Sequence, residues 1–177
     1  MATDAPAPVR AVRFCQRCGA PVAPRAVDGQ TLPACRRCGW VWYFNPAPGV
    51  LGLVVRRGRV LLVRRRIAPH RGYWTVPGGF IAGYETMTET LRRELREEIG
   101  ADAEPVRFLG AVRHVYGRSG PPSLKCFFEV RLRGALRPGS DAGAIAWFPL
   151  RRLPARLVPT DRLALALLRR GRVPFFE

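Results

Sequence analysis

Apolar and polar residues alternate between two periods along this chain. Val50–Val55 and Arg59–Val63 are short apolar runs around Arg56-Arg57-Gly58, the pattern of a hairpin. Pro77-Gly78-Gly79 reads as a loop. The period then becomes helical: at about 100° per residue, Met87, Leu91, Leu95 and Ile99 form one apolar stripe. Thr86 with Glu89 has the spacing of a capping box, and Gly100 suits a left-handed stop. Val106–Tyr116 and Leu124–Arg133 read as strands joined by the turn-rich Gly117–Ser123, and Ala144–Phe148 as another strand. A last helix is expected from a cap at Asp161 through Arg170, closed by Gly171.

Strands and helices mixed in this order predict an α/β domain over 45–150, entered through the stiff Asn45-Pro46-Ala47-Pro48-Gly49. Residues 151–177 read as a C-terminal tail with a helix. Residues 12–44 stand apart because they hold four of the five cysteines.

Hydrophobic residues make up 47% and charged residues 24% of the 177, enough apolar content for a core. No apolar run is long enough to span a bilayer, which argues against a membrane partner. Met1–Arg13 lacks the apolar stretch of a secretory signal, so the cytoplasm is the expected compartment.

Charge changes the picture. Thirty basic residues against 13 acidic ones give a net +17, and Lys125 is the only lysine. Such a chain attracts polyanions, nucleotides and nucleic acid among them. The acids are concentrated: Glu85, Glu89, Glu94, Glu97, Glu98, Asp102 and Glu104 form an island that asks for a cation.

Cys15 and Cys18 are separated by two residues, as are Cys35 and Cys38, and a glycine follows each pair. Two such knuckles present four sulfurs, the ligand set of structural zinc with no open position. Disulfides suit a reducing cytoplasm poorly, and nothing suggests the electron transfer of an iron–sulfur cluster. Cys126 stands alone on an expected strand and reads as a small buried hydrophobe.

Glu94, Glu97 and Glu98 share one side of the expected helix, with Glu94 and Glu98 at the edge of the apolar stripe. Charge there is costly unless paired or metal-bound, and hard carboxylate oxygens suit Mg2+ or Mn2+. Salt bridges from Arg92, Arg93 and Arg96 on a solvated acidic helix are the alternative. The Pro77–Gly79 turn favours metal, because bare backbone there offers a carbonyl to a cation and amides to phosphate.

The full pattern runs from Gly79 over five residues to Glu85, then over seven to Arg93-Glu94-Leu95-Arg96-Glu97-Glu98-Ile99-Gly100-Ala101. It resembles the signature of the Nudix hydrolases. Trp74-Thr75-Val76-Pro77-Gly78-Gly79 and Trp147-Phe148-Pro149-Leu150 agree. The resemblance implies an α/β/α sandwich with a mixed sheet, and hydrolysis of a nucleoside diphosphate linked to another group. By position, Glu94, Glu97 and Glu98 match the metal-binding carboxylates, with the Gly79 carbonyl as a further ligand. Arg93 matches the residue that holds the glutamates, and Glu85 an accessory acid. Tyr84 replaces a usual glycine, Ala82 a frequent glutamate and Ala101 a usual bulky residue; no core carboxylate is missing.

The ribbon followed by this signature resembles two groups. NADH pyrophosphatases carry a Ser-Gln-Pro-Trp-Pro-Phe-Pro type motif, which residues 105–125 lack. Plant FAD and ADP-ribose pyrophosphatases are the more similar, through the ribbon, Tyr43-Phe44-Asn45-Pro46, Leu61–Arg65 and Trp74–Gly79. A nucleotide-type substrate follows from that resemblance. Glu129 is a candidate base outside the signature, and Tyr43, Phe44, Trp74, Phe80 and Tyr116 are candidate stacking partners. A different class stays open: Arg17, Arg25, Arg36 and Arg37 in the ribbon fit weak, non-specific nucleic-acid binding or a ligand-sensing regulator. Oligomeric state is open, a homodimer included.

Overall fold

The computed structural model describes residues 12–115, 122–139 and 142–176, without the side chain of Phe175. Tyr116 and most of the expected Gly117–Ser123 turn lie outside these residues. The chain divides into two compact units, Met1–Asn45 and Pro46–Glu177.

The first unit is a ribbon. Strands β1 (Val22–Val27) and β2 (Gln30–Cys35) pair antiparallel, with Val22 opposite Cys35. The two knuckles repeat one hydrogen bond: Gly19 N–H donates to Cys15 O at 2.9 Å, and Gly39 N–H to Cys35 O at 3.0 Å.

The second unit has two sheets and two helices. Strands β3 (Ala47–Leu53), β7 (Gly78–Phe80), β8 (Asp102–Val115), β9 (Pro122–Arg133) and β11 (Phe175–Phe176) form a mixed sheet in the order β11-β8-β9-β3-β7. In it β3 runs parallel to β9 and antiparallel to β7. The other sheet joins β10 (Ala142–Pro149), β5 (Arg59–Arg65) and β4 (Val55–Arg56), with β6 (Trp74–Thr75) also on β5. Helix α1 (Met87–Ile99) packs on a core holding Val50, Leu61, Val63, Cys126 and Val130. Helix α2 (Pro159–Arg169) packs on a core holding Leu51, Leu53, Leu62, Val76, Val112 and Phe127. Alternate residues of β3 and β5 serve the two cores, as the two-residue period of a strand requires. The expected α/β sandwich with a mixed sheet is the architecture found.

Several expectations are corrected. The run Val50–Val55 is not one arm of a hairpin. The chain leaves the mixed sheet after Leu53, and only β4 turns back on β5 through Arg57-Gly58. Apolar runs carry no label for the sheet they join. Pro46–Gly49 is not a free linker, since Ala47, Pro48 and Gly49 already pair with β9. Gly78-Gly79 is strand β7, not loop, because glycine lets it lie flat on β3: a Cβ on Gly78, whose φ is 140°, would strike Val50 O.

Helix α1 begins with the expected reciprocal cap. Glu89 N–H donates to Thr86 Oγ1 at 3.2 Å, and Thr86 N–H to Glu89 Oε2 at 2.8 Å. Gly100, with φ 67°, ends it. Its apolar stripe is shifted, however: Thr90, Leu91, Leu95 and Ile99 are buried, and Met87 is 42% exposed. Leu95 lies close over β3, so a Cβ on Gly52 would come within 2.9 Å of it and 2.7 Å of Val130. Arg137 and Gly139 N–H groups donate to Ile99 O and Glu98 O, completing the C-terminal end. Asp161 does not cap α2. Val158 is the N-cap, with Pro159 at the first helical position, and the Asp161 carboxylate is drawn inward. No helix among the described residues is long and apolar enough to cross a membrane.

Candidate active site

The acidic island is organised by one guanidinium. Arg93 Nε donates to Glu85 Oε1 at 2.7 Å and Nη2 to Glu85 Oε2 at 3.0 Å. Nη1 reaches Glu94 Oε1 at 2.7 Å and Glu97 Oε2 at 3.2 Å, and Nη2 also reaches Phe80 O at 3.3 Å. A planar fork serving this many acceptors is work for arginine and not for lysine. Glu85 also accepts from Thr90 Oγ1 at 2.8 Å. The Arg93 guanidinium beside it is the chief reason that Glu85 is held down at about 2.

Glu94 differs. Its side chain is 17% exposed, and burial pushes its carboxyl above the ordinary range despite the guanidinium. It lies against Gly79 so closely that a Cβ there would overlap the carboxylate. Glu98 Oε2 accepts the Gly78 N–H at 2.8 Å, where the helical spacing places it, at the core edge facing the glycines. Glu97 is the outermost, 56% exposed. Arg96 turns away to Asp102 at 2.7 Å, and the ion pairs to Glu94 and Glu97 come from Arg93.

Of these groups Gly79, Phe80, Arg93, Glu94 and Glu98 line a cavity of about 340 Å3, and Glu85 and Glu97 do not. Sequence reasoning missed the other lining groups: Arg65, His70, His114, Ser123 and Lys125. They come from β5, the loop after it, β8 and β9, and no local spacing marks them. Burial and then the Lys125 charge bring His114 down to about 4; burial and then Arg65 lower His70.

Other candidates fall elsewhere. Glu129 pairs with Arg107 at 2.6 Å, across a strand register of β8 and β9, and lines a different groove. Trp74 stacks edge-on against Phe148, with centroids 4.8 Å apart, as core packing. Tyr43 and Phe44 belong to the ribbon, where Phe44 packs on Trp42. Phe80 is the one stacking candidate that lines the cavity among the described residues. Tyr84 is fully exposed and Ala101 is buried in the core, while Ala82 lines the cavity and donates its N–H to Glu85.

In the ribbon the four cysteine sulfurs gather within 4.8 Å of one another, with Cys15–Cys38 at 3.5 Å and Cys18–Cys35 at 3.6 Å. Thiolates at about 2.3 Å from a tetrahedral centre lie roughly 3.8 Å apart, so the cluster is compatible with zinc. The Cys38 backbone amide is the main cause that lowers the Cys35 thiol to about 7. Cys126 belongs to the second unit, where it is buried in the α1 core, and burial raises its thiol.

Comparison with known proteins places this geometry. The NUDIX domain profile matches residues 44–168. The chain is 31% identical over 146 residues to the NAD-capped RNA hydrolase NudC of Stutzerimonas stutzeri, covering 81% of this chain and 50% of that protein. It is 32% identical over 118 residues to the ADP-ribose pyrophosphatase of Methanocaldococcus jannaschii, covering 63% and 67%. A NUDIX hydrolase structure from Nitrosomonas europaea superposes with a TM-score of 0.74 at 25% identity, covering 93% and 96%. The chain spans half the length of the NudC relative.

Proposed function

This chain belongs to the Nudix hydrolase family, and we propose that it cleaves the diphosphate linkage of a nucleoside diphosphate joined to a second group, as in ADP-ribose or FAD. The observation that carries this reading is the carboxylate cluster held by Arg93 against the bare backbone of Gly78 and Gly79 in the wall of the cavity.

A divalent cation fits that cluster. Glu94, Glu97 and Glu98 with the Gly79 carbonyl would hold it, a set of hard oxygens suited to Mg2+ or Mn2+. Glu94 is buried enough to disfavour its own charge, which a cation offsets. When bound, the metal supplies charge neutralisation for the diphosphate. Arg93 keeps the carboxylates in place and Glu85 keeps Arg93 in place. The water oxygen adds to one phosphorus, its proton passes to a carboxylate of the cluster, and the bridging P–O bond breaks. Two phosphate monoesters result, one of them a nucleoside monophosphate. In the ribbon, Cys15, Cys18, Cys35 and Cys38 would hold a structural zinc.

A second reading takes NAD-capped RNA as the substrate. The name of the NudC relative suggests it, and the net charge of +17 with exposed Arg17, Arg25, Arg36 and Arg37 supports it. The deciding assay offers ADP-ribose, FAD, NADH and an NAD-capped oligonucleotide with Mg2+ and follows nucleoside monophosphate release. Turnover of ADP-ribose or FAD above NADH supports the first reading. Capped RNA cleaved far faster than all three supports the second. Exclusive use of nucleoside triphosphates would overturn both.

A further inference from the structure

Lys125, in the cavity lining, belongs to an ion pair for which the chemistry above has no use. Asp161 is 0% exposed. Its Oδ2 accepts from Thr75 Oγ1 at 2.6 Å and from Val76 N–H at 2.9 Å. Its Oδ1 accepts from Lys125 Nζ at 2.8 Å and from Thr160 Oγ1 at 3.4 Å. This ties α2 to β6 and β9. Lys125 is 15% exposed and faces the cavity. Its ammonium has three protons, and Asp161 is the only acceptor described for it.

Three observations point beyond a structural staple. A buried pair is weak as a stabilising device, since apolar replacement of both partners is commonly neutral or favourable. All other basic residues of the chain are arginine, 29 of 30, yet this position is lysine. A lysine ammonium is a compact point charge with three protons, so it keeps donors for an acceptor in the cavity after pairing with Asp161. Finally, burial and nearby positive charge lower both His70 and His114, so Lys125, with Arg65 and Arg93, carries the positive charge of the cavity lining.

We propose that Lys125, oriented by Asp161, binds a phosphate oxygen of the substrate equally in ground state and transition state. This rests on the hydrolase reading but is tested apart from it. Because Lys125 is the only lysine, wild-type protein can be treated with an amine-acylating reagent and Lys125 modification followed by peptide mass analysis. ADP, in EDTA, should slow acylation of Lys125, and adenosine should not. Calorimetry then compares wild type with the neutral pair Lys125→Met/Asp161→Asn. ADP affinity should fall at least about tenfold, adenosine affinity should hold, and the KM for ADP-ribose should rise by a similar factor with kcat within about threefold.

Absence of ADP protection overturns the proposal, whether or not the double variant folds. A folded double variant with unchanged ADP affinity makes the pair a structural staple. Equal losses for ADP and adenosine assign Lys125 to the nucleoside instead. Protein that shows ADP protection but hydrolyses no dinucleotide sinks the hydrolase reading alone; active protein without protection sinks this proposal alone.

Discussion

Arg93 grips Glu85 with two parallel hydrogen bonds, Nε to Oε1 at 2.7 Å and Nη2 to Oε2 at 3.0 Å, and spends its remaining donors on Glu94, Glu97 and the Phe80 carbonyl. The pair gives stability a definite pH dependence. Glu85 drops from its ordinary 4.5 to about 2, so its contribution is complete above 4.5 and is lost as pH falls toward 2. Arg93→Met should therefore melt below wild type at pH 6, and the gap should close between about pH 5 and 2. A gap that stayed constant on acidification would mean that Arg93 acts through packing. Turnover should fall about a hundredfold or more, because Glu94 and Glu97 lose their anchor.

Glu98→Gln keeps an oxygen for the Gly78 N–H and removes one of three clustered charges. Without metal it should melt at or slightly above wild type. Mg2+ should stabilise it far less than it stabilises wild type, and turnover should fall about a hundredfold or more. Glu89→Gln, on the capping box, should lower the melting temperature by no more than a few degrees and leave turnover nearly intact. Melting curves with and without Mg2+, together with rates, check both variants. Normal turnover in Glu98→Gln would remove that residue from the metal site.

Adjacent glycines should fail in different ways. A Cβ on Gly78 meets the Val50 carbonyl, rigid backbone at an unfavourable φ, so Gly78→Ala should cost on the order of 3 kcal/mol of stability. A Cβ on Gly79 meets the end of the Glu94 side chain, which can swing aside. Gly79→Ala should stay folded while losing Mg2+ affinity and turnover. Denaturant midpoints against metal titrations separate the two.

Purified protein should contain one zinc per chain. Cys35→Ser should abolish it, and Cys126→Ala should leave zinc content unchanged while loosening the α1 core. Elemental analysis decides; iron in place of zinc would refute the assignment.

What the sequence disclosed was what is local. The cap at Thr86–Glu89, the stop at Gly100 and the facing of Glu98 toward the glycines all sit within about six helical turns of chain. The cap and the stop are bonded to residues three or four positions away, so spacing specifies them. Glu98 meets Gly78 across 20 residues, and only its facing was legible. Asp161 shows the opposite case. Its position near a helix start reads as a cap, but its partners Thr75, Val76 and Lys125 are 86, 85 and 36 residues away. Met87 continues the apolar period yet finds no neighbour to bury it, and the split of Val50–Val55 depends on which sheet each half meets. Periodicity reports that a face exists, not what will lie against it.

The closeness of Leu95 to Gly52 has a consequence for how this protein tolerates change. Leu95 lies between Glu94 and Glu98 on α1, so the depth at which the helix seats on β3 also sets the height of both carboxylates above the glycines. A methyl added at Gly52 would press on the ends of Leu95 and Val130, directly beneath the two carboxylates, without touching one of their charges. The floor of the acidic face is therefore set by a residue that carries no chemistry of its own.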